Sequence, residues 1–311
     1  ICEEKHMGSR AVVIVCKNKE IPKEKFKISE QSLGICYTRT GRRFFNDINI
    51  ENELLERLCV ALSKANFWDN FKTDFVILDC ELMPWSAKAQ ELIKSQYAAV
   101  GTSGKNALKN TIDVIQKAKE RGLPINEIED IYVKKYNHII NFEKSYSQYC
   151  KEINGIEGIK LAPFHILATE SAVHYDKSHI WHMENIAEFC DFDSNLLLKT
   201  PYKTVDLNDE KSVNDVINWW ENLTSNGGEG MVVKPIDFLS KGEKDIVQPA
   251  IKCRGKEYLR IIYGYDYCDE KNLVLLKHRS LQKKRYMAMN EFILGLESLT
   301  RFINNEPLRK I

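Results

Sequence analysis

The sequence predicts an α+β protein: a sheet core, broken by a helical insert and followed by a helical tail. Three observations lead there. Short β-branched apolar runs of strand length recur at well-separated places. Two long stretches carry apolar residues at helical spacing. Strands and helices are segregated along the chain more than they alternate, which argues against a doubly wound parallel sheet.

The elements follow in order. Ala11 to Val15 (AVVIV) reads as a buried strand, because β-branched side chains suit a pleated surface. Leu54, Leu55, Leu58, Leu62 and Ala65 fall on one helical face. Asp74 to Leu82 (DFVILDCEL) is a second strand, with Glu81 near its end. From Trp85 to about Cys150 the spacing turns helical. Leu108, Ile112, Ile115 and Ala118 make one stripe, and Gly122 is a natural stop. Asn126 and Glu129 have capping-box spacing, and Ile128, Tyr132, Tyr136, Ile139, Glu143 and Tyr146 continue the helical pattern. This stretch reads as an insert with its own small core. Strand character returns at Gly158 to Glu170. A helix is expected over Ser212 to Leu223, with Val213, Val216, Ile217 and Trp220 on one face. Glu229 to Pro235, Val247 to Gly255 and Tyr258 to Gly264 all read as strands. The tail repeats apolar residues at Met287, Phe292, Leu296, Leu299 and Phe302. The expected division is a core of 1–84 and 158–264, an insert of 85–157 and a C-terminal helical module of 265–311.

Bulk properties bound the function. The 311 residues are 43% hydrophobic and 29% charged, ordinary for a globular chain. No run approaches the length of a membrane span, and no apolar segment follows the charged first residues as a signal peptide requires. Lys5 lies so close to the first residue that the chain reads as part of something longer. A net charge of +1 argues against sequence-blind polyanion binding over the whole surface, but a local patch exists at Lys277-His278-Arg279 and Lys283-Lys284-Arg285. The nine cysteines are scattered, with no CxxC pair, and read as reduced thiols of a cytoplasmic protein. His179 and His182 form an HxxH pair without a nearby Cys or acidic ligand pattern, so a structural pair is expected rather than a metal site. Val100 to Leu108 (VGTSGKNAL) has the wrong glycine spacing for a phosphate loop, has Asn106 where Ser or Thr belongs, and follows no strand. It reads as a glycine-rich helix start.

Polar residues that end strands carry the chemical signal. Lys5, Arg10, Glu81, Glu229, Lys234, Lys252 and Arg254 are each, taken alone, an ordinary solvated charge. Together they put cations and carboxylates at the ends of several strands. Cations neutralise phosphate oxygens, and carboxylates hold a divalent metal or a ribose hydroxyl.

The ordered set KHMGSR (Lys5 to Arg10), DCEL (Asp79 to Leu82), PFHIL (Pro163 to Leu167), EGMVVKP (Glu229 to Pro235) and IKCRG (Ile251 to Gly255) resembles motifs I, III, IIIa, IV and V of the covalent nucleotidyltransferases. That superfamily holds ATP-dependent DNA and RNA ligases and capping enzymes. KHMGSR, TGRRFF (Thr40 to Phe45) and the large insert most resemble the ligase domain of bacterial polynucleotide kinase-phosphatases, which repair RNA.

The resemblance implies an antiparallel-sheet nucleotidyltransferase core of the ATP-grasp-like ligase type. It also implies an enzyme that uses ATP with Mg or Mn and forms lysyl-AMP at Lys5. AMP then passes to an RNA 5′-phosphate, and the break is sealed to a 3′-hydroxyl. By the same resemblance Arg10 contacts the ribose or phosphate, and Glu81 the ribose or a metal-bound water. Phe164 stacks on adenine, Glu3 faces the adenine amine and Glu229 helps place the metal. Lys234, Lys252 and Arg254 hold phosphates, with Lys252 counted as catalytic. Arg42 or Arg43 serves a phosphate or the RNA end. Implied partners are RNA with broken ends, a 3′-terminal RNA ribose methyltransferase, and kinase and phosphatase modules of the same polypeptide, with no membrane.

Departures from the pattern exist. Motif V is usually Lys-x-Lys and here reads Lys252-Cys253-Arg254, no OB-fold signature follows it, and the segment that often completes the adenine pocket does not precede Lys5. A DNA ligase, a GTP-using capping-type enzyme and a non-catalytic nucleotide-binding scaffold are the alternatives. A lysine amine is ordinarily protonated at neutral pH, so nearby cations, partial burial or a metal would be needed to favour the neutral nucleophile.

Overall fold

A computed structural model describes residues 1–85, 91–150, 153–243 and 246–311. In chain order its elements are β1 (Cys2–Glu4), β2 (Ser9–Cys16), α1 (Ile21–Phe26), β3 (Gly34–Thr38), α2 (Ile48–Lys64), α3 (Phe67–Asn70) and β4 (Phe75–Met83). A π-helical stretch, Ile93–Ala98, runs into α4 (Ala99–Glu120), followed by α5 (Asn126–Ser147), β5 (Lys160–Thr169), β6 (Ala172–Val173) and α6 (His179–Cys190). Then come β7 (Tyr202–Lys203), α7 (Glu210–Ser225), β8 (Gly230–Val233), β9 (Ile251–Arg254), α8 (Lys256–Tyr263), α9 (Glu270–Lys277) and α10 (Gln282–Ile303).

The strands form two antiparallel sheets. The larger has the order β3-β2-β4-β5-β6, and the smaller β7-β1-β8-β9. Because strand side chains alternate, the larger sheet has two different faces. Ala11, Val13, Val15, Leu78, Cys80 and Leu82 point to one face and are buried against α2 and α6 in the main core. The opposite face carries Val12, Ile14 and Ile77, which pack with Leu299, Phe302 and Ile303 of α10. On that second face the strand register sets Ile14 beside Ile77, Val12 beside Asp79, and Arg10 beside Glu81. A greasy platform under the end of α10 therefore grades into a row of charges along the same two strands.

The smaller sheet is covered by α7, whose Val216, Trp219, Trp220 and Leu223 pack with Cys2 and Met231. Trp220 Nε1 donates to Cys253 O at 2.9 Å. Ile217, expected on the buried face, is instead 46% exposed. The helix begins two residues earlier than expected, because Asp209 caps it through Lys211 N.

Two further expectations need correction. Tyr258 to Gly264 is not a strand: Lys256–Tyr263 is helical, starting from Gly255. Tyr258 and Ile261, three apart, enter one aromatic cluster, so the 3.6-residue period outweighs the β-branched run. The capping box at Asn126 does not form, since the N-cap is Ile125 and no side chain caps the helix. The Gly-rich stretch does lie in a helix, α4, although not at a capped start. Gly101 meets the Tyr146 ring and Gly104 meets Ile139, so both glycines let α4 and α5 approach closely.

The insert does not close its core by itself. Phe142 and Tyr146 of α5 cluster with Ile261, Tyr258 and Tyr265. Ser145 Oγ donates to Glu257 at 2.9 Å, and Lys134 pairs with Asp269 at 2.6 Å. Arg260, 2% exposed, is satisfied by Glu257 and by the Tyr265 carbonyl.

Candidate active site

The motif residues converge where the two sheets meet. Lys5 leaves β1 with its N–H donating to Gly230 O at 2.9 Å, so β8 fixes the backbone that carries the amine. Its Nζ lies 2.8 Å from Glu229 Oε1, and Arg254 Nε reaches the same oxygen at 3.1 Å. Glu229 is 2% exposed. Across β8–β9, Gly230 stands opposite Arg254 and Val232 opposite Lys252, which brings motif IV to motif V. Gly230 has φ +134°, and a Cβ there would sit 2.1 Å from Cys253 O, so the close approach requires glycine.

Glu81 enters from β4. Its Oε1 accepts from Gly8 N at 3.1 Å. Gly8 has no room for a side chain: a Cβ would lie 2.4 Å from Leu82 O and 2.8 Å from Glu81 Cγ. Burial pushes the Glu81 carboxyl up from its ordinary value; Lys5 opposes the rise and Glu229 adds to it. Burial likewise pulls the Lys252 ammonium down, helped by the neighbouring cations Lys5 and Arg254. Lys5, Lys252, Arg254, Glu81 and Glu229 thus act on one another electrostatically within a partly dry cluster.

A second cluster lies at the other end of the motifs. Lys234 Nζ contacts Glu3 Oε2 at 2.6 Å and stands 5.3 Å from the centre of the Phe164 ring. Among the described residues, Glu3 Oε1 is buried without a hydrogen-bond partner. Lys234 Nζ is also 3.4 Å from His165 Nε2, which faces His179 Nδ1 at 3.0 Å. His182 Nδ1 accepts from Ile166 N. The HxxH residues therefore join a third imidazole from β5. Burial holds His165 well below the ordinary histidine range, His179 down to about 2 and His182 down to about 3. Lys234, assigned to phosphate by resemblance, is grouped here with Glu3 and Phe164 rather than with Lys252 and Arg254.

Arg10 is clamped by Asp79 through two bonds, 2.8 and 2.7 Å. Arg43 turns to the fully buried Glu51 at 2.7 Å and to Glu30 at 3.0 Å, and Glu51 in turn accepts from Cys36 N. Arg42 is exposed in the turn after β3, with its N–H on Thr38 Oγ1.

Three participants escaped the sequence reading. Asp79 orients Arg10; its i, i+2 spacing from Glu81 on one strand face was the available signal. Tyr258 lies under Arg254, 5.5 Å from guanidinium to ring centre, and burial, followed by the Glu229 charge, pushes its phenol well up. His6, next to Lys5, contacts Thr200 Oγ1 at 3.0 Å; burial, then Lys5, pulls it down to about 4. Neither Tyr258 nor His6 carries a motif signal.

A family model, PNKP adenylyltransferase domain, ligase domain, matches residues 1–311. The chain belongs to that family. This adenylyltransferase and ligase domain has the fold of solved relatives. One chain of the Pnkp1/Rnl/Hen1 complex is 20% identical with a TM-score of 0.63, covering 95% of this chain and 76% of that one. A chain of the Pnkp1/Rnl/Hen1 RNA repair complex is 19% identical with a TM-score of 0.61, over the same shares. No curated protein matches the chain. Among the described residues of the ligase domain, no helix is long and apolar enough to cross a membrane.

Proposed function

We propose that the chain is an ATP-dependent RNA ligase module that becomes adenylylated on Lys5. The observation that carries this reading is the 2.8 Å contact of Lys5 with Glu229, inside a cluster of two more cations and a second carboxylate. Lys5 Nζ attacks the α-phosphorus of ATP. The bond to the pyrophosphate oxygen breaks, and pyrophosphate leaves with its electron pair. Glu229 is placed to receive the ammonium proton, while Lys252 and Arg254 face the charge that builds on the phosphate oxygens. The lysyl-AMP phosphorus is then attacked by an RNA 5′-phosphate oxygen, and Lys5 departs. A 3′-hydroxyl finally displaces AMP and joins the strand.

Two further features fit the nucleotide. The unpartnered, buried Glu3 Oε1 is an acceptor suited to an adenine amine. Phe164 offers a ring face beside it. The residues also fit a divalent ion. Glu81 and Glu229 are two hard oxygen donors without a third clustered protein ligand among the described residues, the kind of set that Mg or Mn shares with substrate phosphates. Bound there, the ion would supply Lewis-acid stabilisation of the phosphate charge. Arg42, exposed, is the freer of the two candidate arginines for an RNA end.

RNA as the acceptor, a methyltransferase partner, attached kinase and phosphatase modules and a cytoplasmic setting are part of the same proposal. They draw on the family and on the RNA repair complex to which similar chains belong. The test is intact-protein mass after incubation with ATP and Mg or Mn. An AMP-sized gain absent from Lys5→Ala supports the reading. ATP binding without any adduct points to a scaffold, and labelling by GTP instead sinks the adenylate assignment.

A further inference from the structure

The basic stretch around the start of α10 takes no part in the site described above. All residues from Lys277 to Ala288 are exposed, and among the described residues Lys277, Arg279, Lys283, Lys284 and Arg285 form no ion pair. Its place in the fold is informative. The C-terminal end of α10 packs on Ile14 and Ile77, and that same sheet face carries Arg10 and Glu81 at its other end. Nearer its start, Glu291 pairs with Arg39 and acts electrostatically on Arg10, while Phe292 stacks on Phe238 at 5.9 Å. Phe238 in turn packs on His165, next to Phe164. α10 therefore runs along the catalytic face toward the site. Lys284 and Arg285 lie seven residues before Glu291 and Phe292, on the same sides of the helix, about 10 Å further out.

The fold gains nothing from cations there. Lys283, Lys284 and Arg285 occupy the first turn of α10, where the helix dipole disfavours positive charge. No acidic residue is in that turn and no side chain caps it. Local chemistry that opposes its own helix points to an external anion. Tyr286, 69% exposed beside them, offers an aromatic face.

We propose that Lys283, Lys284 and Arg285 form a backbone-binding surface for single-stranded RNA, holding the acceptor strand outside the adenylylation site. This rests on the RNA-joining reading. The surface tracks phosphates and stacks a base on Tyr286. It takes no part in the attack of Lys5 on ATP, since exposed charges are largely screened by salt and the charges that act on Glu81 and Lys252 are those of the cluster itself.

The test compares the full chain with a Lys283→Ala, Lys284→Ala, Arg285→Ala variant, and with the corresponding triple Gln variant. All six substitutions suit a helix, and thermal melting checks folding. The probe is a 5′-phosphorylated single-stranded RNA oligonucleotide, titrated at several salt concentrations. Expected are binding weaker by about tenfold near physiological salt, a salt slope reduced by about 2 for three lost phosphate contacts, and adenylylation with ATP unchanged. Unchanged RNA affinity and slope in a folded variant overturn the proposal, as they must if an acidic protein is the true occupant. Loss of adenylylation together with RNA binding also overturns it. If the unaltered chain never gains AMP yet shows the slope change, the surface stands and the ligase reading falls.

Discussion

Two lysines in this molecule each meet a buried carboxylate, and they differ in what else surrounds them. Lys234 has Glu3 to itself, with Phe164 and a neutral imidazole as its other neighbours. Lys5 shares Glu229 with Arg254, and Glu81 and Lys252 act on the same cluster. The first arrangement is locally balanced and nearly dry, the condition in which an ion pair holds geometry. The second divides one acceptor oxygen between two cations, so an incoming anion competes readily for them. In the proposed nucleotide site, the Lys234 end, assigned to the base, is built to stay put, and the Lys5 end, assigned to the phosphates, to exchange partners.

The largest test of that contrast is Lys5→Ala, which is expected to abolish the AMP adduct while leaving melting temperature nearly unchanged. Lys234→Met should do the reverse first, by leaving the buried Glu3 side chain without its cation. The cost is about 3–5 kcal/mol of stability, measured by denaturant unfolding. Adding Glu3→Gln to Lys234→Met should return most of that loss. A double variant as unstable as the single one would mean that the pair is not what Lys234 stabilises. Next in size is Gly8→Ala, where the new methyl must displace the Leu82 carbonyl or the Glu81 side chain. Overpacking of this kind costs about 1–3 kcal/mol. Adenylylation should slow with no change in RNA affinity.

The smallest effect concerns pH. The folded protein raises the Glu81 carboxyl above its ordinary value of 4.5, so stability from that group is present below about that pH and is lost as pH rises through the raised value. Glu81→Gln keeps an oxygen for the Gly8 N–H and cannot ionise. Its melting temperature should exceed that of the unaltered protein by a few degrees at neutral pH, and the two should converge in acid. A constant difference across pH would show that burial of the charge is not the cause.

These residues also show how far sequence reasoning reached. Lys5, Glu81, Glu229, Lys252 and Arg254 stand out as candidates because strand-end charges in a fixed order leave a linear trace, whereas Glu3 enters only through the family resemblance. Their division into two ends is not visible there, since Lys234 directly follows β8, Lys252 lies on the adjacent β9, and only three-dimensional packing separates them. The histidine cluster was half visible: HxxH places two rings on one helix face, but His165 comes from a different element. Tyr258 was misread with its whole segment, because RIIY resembles a strand until an aromatic core from α5 selects the helical period. Arg43 is adjacent to Arg42 in sequence, and only the buried Glu51 tells them apart.

The indole of Trp220 donates to the carbonyl of Cys253, the peptide that lies between Lys252 and Arg254. A fluorophore is thus wired to the strand that would grip phosphate. Its emission should respond when nucleotide loads, which gives the protein a built-in optical readout requiring no label.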